Sequence, residues 1–287
     1  MQIEVKFMSG KKFYLIIRHL ITVDSHQQKK QDNTKAGIII TSPEAAEIAA
    51  LLVEQNEIIA VTSECDYPPF LQQKEKIGNF GNVDFEKISE LNPALVITTG
   101  HEQKKLNHDL QKLGIKTVSL YPQSVTKLFS EIRRLGDVLK KPERAKVVID
   151  SLKQQYEAVV AAKRGRARQP SLYIEIYGNP LMTVSDSSFV GNVIKLAGAE
   201  NIFPELPRDY CRIKPEAVIE RNPEVILLTY PGVEPQRIKN RKGWQQISAC
   251  KYDRIYTVND FNPALILRAG PRIFSGIKKL QKLLYED

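Results

Sequence analysis

One phrase occurs twice in this chain, 130 residues apart. Asp84-Phe85-Glu86-Lys87-Ile88 leads into Asn92-Pro93-Ala94-Leu95-Val96-Ile97, and Lys214-Pro215-Glu216-Ala217-Val218 leads into Asn222-Pro223-Glu224-Val225-Ile226-Leu227. Each copy has the pattern of a short helix, an Asn-Pro turn that stops it, and a buried strand, which points to two similar α/β lobes. Each copy also sets a glutamate seven residues before its proline, Glu86 in one and Glu216 in the other. A single glutamate early in a helix is ordinarily a favourable charge for the helix dipole. A matched pair at equivalent points of two lobes also suits a protein that sits across a two-fold partner.

Hydrophobic periodicity extends the two-lobe pattern along the chain. Strand-like runs at Gly37 to Thr41, Ile58 to Thr62, Ala94 to Thr99 and Lys116 to Leu120 alternate with helical patterns such as Pro43 to Glu54 and Gln103 to Leu113. That alternation predicts a parallel sheet wrapped by helices. Ser124 to Lys140 carries Val125, Leu128, Ile132, Leu135 and Val138 on one stripe, with Ser124 placed to cap it. Pro142 suits the first turn of a following helix, and Pro142 to Lys163 has no internal Gly or Pro. Such a helix is about 33 Å long at 1.5 Å per residue, enough to join two lobes rigidly. Strands at Ser171 to Tyr177, Glu224 to Tyr230 and Arg254 to Val258, with helices at Ser188 to Leu196, Pro215 to Arg221 and Pro271 to Leu284, repeat the logic. Before the first lobe, Gln2 to Phe7 and Lys12 to Ile17 flank a turn at Met8-Ser9-Gly10-Lys11 and predict a hairpin. The expected architecture is α/β: two Rossmann-like lobes joined by one long rigid helix, with a ligand cleft between them at the carboxyl ends of the strands. The divisions are 1–36 (extension), 37–141 (first lobe), 142–169 (linking helix) and 170–287 (second lobe).

Composition removes several classes of function. Hydrophobic content of 42% with 26% charged residues marks an ordinary globular chain. No stretch approaches the roughly 20 apolar residues that span a bilayer. Phe13 to Ile17 is cut short by Arg18-His19, with neither a small-residue cleavage site nor a lipid-attachable cysteine after it. The expectation is a periplasmic or cell-surface protein if an export signal has been removed, and a cytoplasmic one otherwise. The net charge of +9 is spread along the chain, and its densest run, Lys163 to Arg168, has the character of an exposed linker, so no nucleic-acid partner is expected. Cys65, Cys211 and Cys250 form no CxxC pair and are odd in number, which argues against a zinc site and a disulfide framework. The four histidines, His19, His26, His101 and His108, are too few and too scattered for an imidazole cluster. No phosphate loop, Gly-x-Ser-x-Gly elbow or His-Glu-x-x-His motif is present. Cys65 lies between Glu64 and Asp66, whose charges raise a thiol pKa, so the chain is not expected to be an enzyme or to carry a catalytic residue, a resident metal or a cofactor.

Several segments together carry a family resemblance. Val61-Thr62-Ser63-Glu64-Cys65-Asp66-Tyr67-Pro68-Pro69, Lys76-Ile77-Gly78-Asn79-Phe80, the two Asn-Pro phrases, Ile176 to Thr183, Gly198-Ala199-Glu200-Asn201-Ile202-Phe203 and Arg268-Ala269-Gly270-Pro271-Arg272 resemble the cobalamin-binding branch of the helical-backbone (class III) substrate-binding proteins. These serve ABC importers of cobalamin, haem and iron-siderophores, and the resemblance runs in order from Gly37 to Leu284. It implies that Glu86 and Glu216 are the knobs that engage arginine pockets on the permease dimer. It also implies that Phe80 faces a corrin from the first lobe and that Phe261 stands at the cleft edge of the second. Glu64 replaces the first-lobe tyrosine of the best-known cobalamin binders, as it does in some relatives.

The physical chemistry of such a cargo agrees. A corrinoid or porphyrin is a large flat macrocycle with amide or carboxylate rims, and its binder needs aromatic faces with a few polar groups. Phe80, Tyr177, Tyr230 and Phe261 lie at or just after predicted strand ends, where each can either pack or line the cleft. Arg272 follows Gly-Pro and can cap the last helix or reach an anionic ligand group. Tyr67 either locks a turn with Asp66 or offers an axial phenolate to haem iron. The expected function is capture of a corrinoid or related metal chelate by a monomer and its delivery to an ABC importer. The alternatives are a haem or ferric-siderophore binder of the same fold, or an intracellular corrinoid-handling or redox protein without a transporter.

Overall fold

A computed structural model describes residues 36–100, 103–164 and 168–285. The hairpin expected near the N-terminus, the rest of the stretch before Ala36, His101 and the middle of the Lys163 to Arg168 run lie outside these residues. The chain divides into two compact units. The first comprises the described residues up to Tyr121 together with Ser130–Asp150, and the second comprises Pro122–Phe129 and the chain from Ser151 onward. The chain therefore crosses between the units three times, once after Tyr121 and once inside each of the two consecutive helices that follow.

In the first unit, β1 (Ala36–Ile40), α1 (Pro43–Leu52), β2 (Ile58–Val61), β3 (Glu75–Lys76), the hairpin strands β4 (Gly78–Asn79) and β5 (Asn82–Val83), α2 (Phe85–Leu91), β6 (Pro93–Thr99), α3 (Lys104–Lys112) and β7 (Thr117–Leu120) follow in order. The main sheet runs β3-β2-β1-β6-β7 and is parallel throughout. Its central strands read as near-continuous apolar runs because helices cover both faces. Ile39, Ile40, Val96 and Ile97 are fully buried and pair across β1 and β6. Each such side chain contributes roughly 1.5–3 kcal/mol by leaving water.

Two helices then lead out of the first unit: α4 (Val125–Val138) and α5 (Pro142–Arg164). Ser124 caps α4, its Oγ accepting the Lys127 N–H at 3.2 Å, and the Asn192 Oδ1 accepts the Val125 N–H at 2.9 Å. The stripe Val125, Leu128, Ile132 and Leu135 is fully buried. In α5, Ala145, Val148, Ile149 and Leu152 repeat at helical spacing and are buried in turn. The two helices meet at Gly136, where an added Cβ would come within 2.4 Å of the Ala145 Cβ, so only glycine permits the approach.

The second unit contains β8 (Ser171–Glu175), β9 (Tyr177–Gly178), β10 (Leu181–Val184), α6 (Phe189–Ala197), β11 (Glu200–Asn201), β12 (Tyr210–Arg212), α7 (Pro215–Arg221), β13 (Val225–Leu228), α8 (Pro235–Lys239), α9 (Ser248–Lys251), β14 (Ile255–Tyr256), α10 (Ala264–Leu267) and α11 (Ile273–Tyr285). Its main sheet runs β11-β8-β13-β14, again parallel. This is the order β2-β1-β6-β7 of the first unit, strand for strand. The repeated phrase occupies the same station in both copies, as the helix and turn that feed the strand beside the first one. Both turns are built alike: Asn92 and Asn222 each end a seven-residue helix in the left-handed region, with φ of 43°. Asparagine tolerates that conformation better than other L-residues.

Every element predicted between Gly37 and Leu284 forms, with ends within two residues of expectation. Short pieces were not predicted. These are β3, the β4–β5 hairpin, β11, the helices α8 to α10, and a second, antiparallel sheet of order β12-β10-β9. That small sheet is tied to β8 by the Thr183 hydroxyl, which donates to the Ile174 carbonyl at 2.8 Å.

The two turns make a paired test. The Asn222 Oδ1 also accepts the Ser248 N–H at 2.7 Å, so Asn222→Ala loses both the tolerated backbone and a bond. Chemical denaturation should show a loss of about 1–2 kcal/mol for Asn222→Ala, and a smaller loss for Asn222→Gly, which keeps the backbone freedom.

Candidate functional site

The carboxyl ends of the two parallel sheets are finished differently. In the first unit a glutamine fills the gap between the central strands. The Thr41 hydroxyl donates to the Gln103 Oε1 at 2.5 Å, the Thr99 N–H donates to the same oxygen at 3.1 Å, and the Gln103 Nε2 donates to the Thr41 carbonyl at 3.2 Å. The Gln103 Nε2 also reaches the Phe80 carbonyl at 3.5 Å, which ties the loop carrying Phe80 to the sheet. The other tie is Glu64, whose Oε2 accepts the Phe80 N–H at 3.0 Å and the Ser63 hydroxyl at 3.1 Å. Phe80 is half-buried, and Glu64 holds the loop that carries it. Tyr67 is half-buried and precedes a cis Pro68, while the Asp66 carbonyl accepts the Gln72 side-chain amide at 3.0 Å. Cys65 is buried, with its Sγ 3.4 Å from the Thr62 hydroxyl. Burial, above all, pushes its thiol up to about 11. At neutral pH it is a poor nucleophile.

In the second unit a charged cluster occupies the corresponding place. Glu175, the last residue of β8, is fully buried. The Arg241 guanidinium grips its carboxylate with two bonds, of 2.6 and 2.7 Å. The Tyr173 hydroxyl donates to it at 3.1 Å, and the Tyr230 hydroxyl donates to it as well. Arg241 in turn stacks on the single tryptophan, Trp244, with its guanidinium carbon 4.5 Å from the ring centroid. Desolvation first, then the Glu175 carboxylate, pushes the Tyr230 phenol up to about 12, so it stays a neutral donor. The same two causes raise the Tyr173 phenol well above its ordinary value.

Above this cluster the small antiparallel sheet carries exposed aromatic residues. Tyr177 is 51% exposed, and its ring lies 6.2 Å from that of Tyr230. Tyr177 and Arg212 both stand opposite Met182, and Tyr210 stands opposite Val184 two residues on. By the period of two along a strand, Tyr177, Met182, Arg212 and Tyr210 therefore share one face. Tyr210 is 40% exposed, and Arg212 is exposed beside it. Neither Tyr210 nor Arg212 was singled out in the sequence, because the segment between Phe203 and Pro215 has no periodicity that reads as a strand.

Two expected residues stand elsewhere. Phe261 is only 3% exposed. In the turn before it, Asp260 accepts both the Thr257 N–H at 2.8 Å and its hydroxyl at 3.0 Å. Arg272 is half-buried just before α11, where its carbonyl accepts the Gly276 N–H at 3.2 Å.

Glu86 and Glu216 occupy equivalent positions, each the second residue of its helix, and both are exposed. Neither has a hydrogen-bonding or ionic partner among the described residues. Beside Glu86 a depression of about 620 Å³ opens, lined by Ser63, Lys76, Gly78, Asn79, Asn82, Asp84 and Phe85. Among the described residues no group of three or more His, Cys, Asp or Glu side chains is placed to hold a metal ion, and no helix is long and apolar enough to cross a membrane. The three cysteines are unpaired.

Comparison with known proteins places this architecture. The chain is 25% identical over 276 residues to the uncharacterised ABC transporter substrate-binding lipoprotein YvrC of Bacillus subtilis, covering 93% of this chain and 86% of that protein. It is 25% identical over 252 residues to the vitamin B12-binding protein of Photorhabdus laumondii, covering 87% and 88%. Among solved structures, the periplasmic vitamin B12-binding protein BtuF of Vibrio cholerae superposes with a TM-score of 0.74 at 22% identity, over 87% of this chain and 96% of that one. The apo form of the haem-binding protein RhuT from Roseiflexus sp. RS-1 superposes with a TM-score of 0.79 at 20% identity, over 88% and 99%. A family model described as periplasmic binding protein matches residues 38–260. With that match covering most of its length, including both parallel sheets and the repeated phrase, the chain belongs to the periplasmic binding protein family.

Proposed function

We propose that this protein captures a corrinoid or a related metal chelate on the tyrosine face of its second unit and delivers it to an ABC importer that it engages through Glu86 and Glu216. The observation that carries the proposal is the pair Tyr177 and Tyr210, two half-exposed aromatic rings on one face of an ordered sheet. Water-facing rings held on a framework of backbone hydrogen bonds are matched to a large flat apolar partner. Met182 lies between them in the sheet and adds a polarisable, adaptable contact. Relatives that bind vitamin B12 and relatives that serve ABC transporters support the same reading. Glu64 and Phe80 form a further candidate contact surface in the first unit, and Arg272 a polar one in the second. As in the lipoprotein and periplasmic relatives, the protein would work outside the cytoplasmic membrane, as a monomer, docking on a permease dimer. Nothing in the proposal requires catalysis, and the cargo's own metal is transported rather than resident.

A second reading has one observation in its favour. Arg212 shares the row of Tyr177 and Met182, and a guanidinium there matches the carboxylate rim of a haem or the oxygen donors of a ferric siderophore better than the amide rim of a corrinoid. Titration with cyanocobalamin, cobinamide, haemin and a ferric siderophore, followed by the change in Trp244 emission, separates the two readings. Tyr177→Ala and Tyr210→Ala should each weaken the ligand that binds by about 1–3 kcal/mol, roughly five- to a hundredfold in Kd. Unchanged affinity in both variants removes the tyrosine face from the site.

The docking residues are tested apart from the ligand. Glu86→Lys and Glu216→Lys should leave Kd for the cargo unchanged and impair uptake by cells carrying the cognate importer, with the double variant worse than either. Like charges brought together at an interface cost up to several kcal/mol. Normal uptake by the double variant would show that these carboxylates do not dock.

A further inference from the structure

We infer that Glu175 and Arg241 are positioning residues for ligand capture: this buried ion pair sets, through Tyr230, the placement of Tyr177 in the tyrosine face. The inference rests on the proposal that the tyrosine face binds the cargo, and it adds a device that holds the face in place. The chain of contacts is continuous. Glu175 is fully buried, and both of its oxygens are gripped by Arg241, at 2.6 and 2.7 Å. Arg241 is itself held over Trp244, which is fully buried. The carboxylate therefore has a fixed position, and it fixes in turn the hydroxyl of Tyr230, which donates to its Oε1.

Tyr230 transmits that position outward. An added Cβ at Gly178 would lie 2.2 Å from the Tyr230 oxygen, so the β9 backbone is seated directly against the phenol. The neighbouring Tyr177 ring leans on the Tyr230 ring at 6.2 Å and a 56° tilt. The Tyr230 side chain therefore lies against both the backbone of β9 and the ring that β9 presents to solvent. A merely stabilising ion pair would need no phenol at the surface end of its network. A buried pair is often no more stable than well-packed apolar residues, and its clearest use is to select one arrangement among several. An aromatic face already in its binding orientation avoids the ordering cost on ligand capture.

The test uses the full chain with cyanocobalamin and haemin as probes, measuring Kd, the visible circular dichroism of the bound chromophore, and Tm. Tyr230→Phe keeps the ring and leaves Arg241 and Tyr173 on the carboxylate, so the variant should fold with little change in Tm. It should nevertheless bind the probe that the wild type binds about 5- to 30-fold more weakly and alter the induced circular dichroism, which reports how the chromophore sits. Glu175→Gln should do the same more strongly, and Arg241→Lys, which keeps the charge and loses the two-pronged grip, should fall between the two. If Glu175→Gln fails to fold, Tyr230→Phe carries the test alone. Tyr177→Ala is the control that tells two failures apart. Weakened binding in Tyr177→Ala with wild-type affinity and dichroism in Tyr230→Phe overturns the positioning role while leaving the tyrosine face as the site. No effect of Tyr177→Ala on either probe, or no binding of either probe by the wild type, counts against the tyrosine face itself and overturns both.

Discussion

Parallel pairing of two neighbouring strands, β1 with β6 in one unit and β8 with β13 in the other, is the constraint on which every other placement depends. Each pair is buried on both faces, and its register fixes which residues emerge at the carboxyl ends. There the two units carry different chemistry. Gln103 supplies a neutral amide that bonds both strand ends of the first unit. Glu175 supplies a carboxylate in the second, and a carboxylate in that position obliges the fold to bring Arg241 to it. One fold with two end-chemistries gives one unit a loop that presents Phe80 and the other a sheet that presents Tyr177.

Much of this was legible in the sequence because it depends on short-range signals. Asn92-Pro93 and Asn222-Pro223 announce the ends of two helices, and the apolar runs after them announce central strands. The equal order of the two sheets follows from that repetition. What could not be read depends on long-range pairing. The small sheet brings β12 to β10 across a separation of some thirty residues, and its strands are only two to four residues long, too short to show alternation. Tyr210 was missed for that reason. The burial of Phe261 was not legible either, because a strand-end position does not say whether a ring packs or faces solvent. A clue to Glu175 was present in the sequence: it is the one charged residue in the run Leu172-Tyr173-Ile174-Glu175-Ile176-Tyr177. A buried charge needs a partner, but only the fold could identify Arg241, 66 residues away.

Glu86 and Glu216 show how one local rule can serve two ends. An acidic residue in the first turn is favoured by the helix dipole whether or not anything docks there. Two helices with the same feature, each leading through the same left-handed Asn into a central strand, are thereby both stabilised and matched. Having no ion pair among the described residues distinguishes them from Lys87 and Arg221, neighbours on the same helices whose charges are used within the unit, on Glu75 and Glu205.

The exchange of segments between the two units bears on how such a chain can be divided or synthesised. Pro122–Phe129 belongs with the second unit although Ser130–Asp150, which follows it, belongs with the first. A fragment that stops at Tyr121 lacks Ser130–Asp150, the part of the first unit that carries the buried Ile132, Leu135, Ala145 and Val148, and a fragment that begins at Pro142 lacks the Phe129 ring that meets Tyr156 and Phe274. Neither half is a module that gene fusion could lift out at the obvious cut. On the ribosome, the first unit is complete only after the chain has passed Asp150, by which point a strip of the second unit is already made and waiting for the rest.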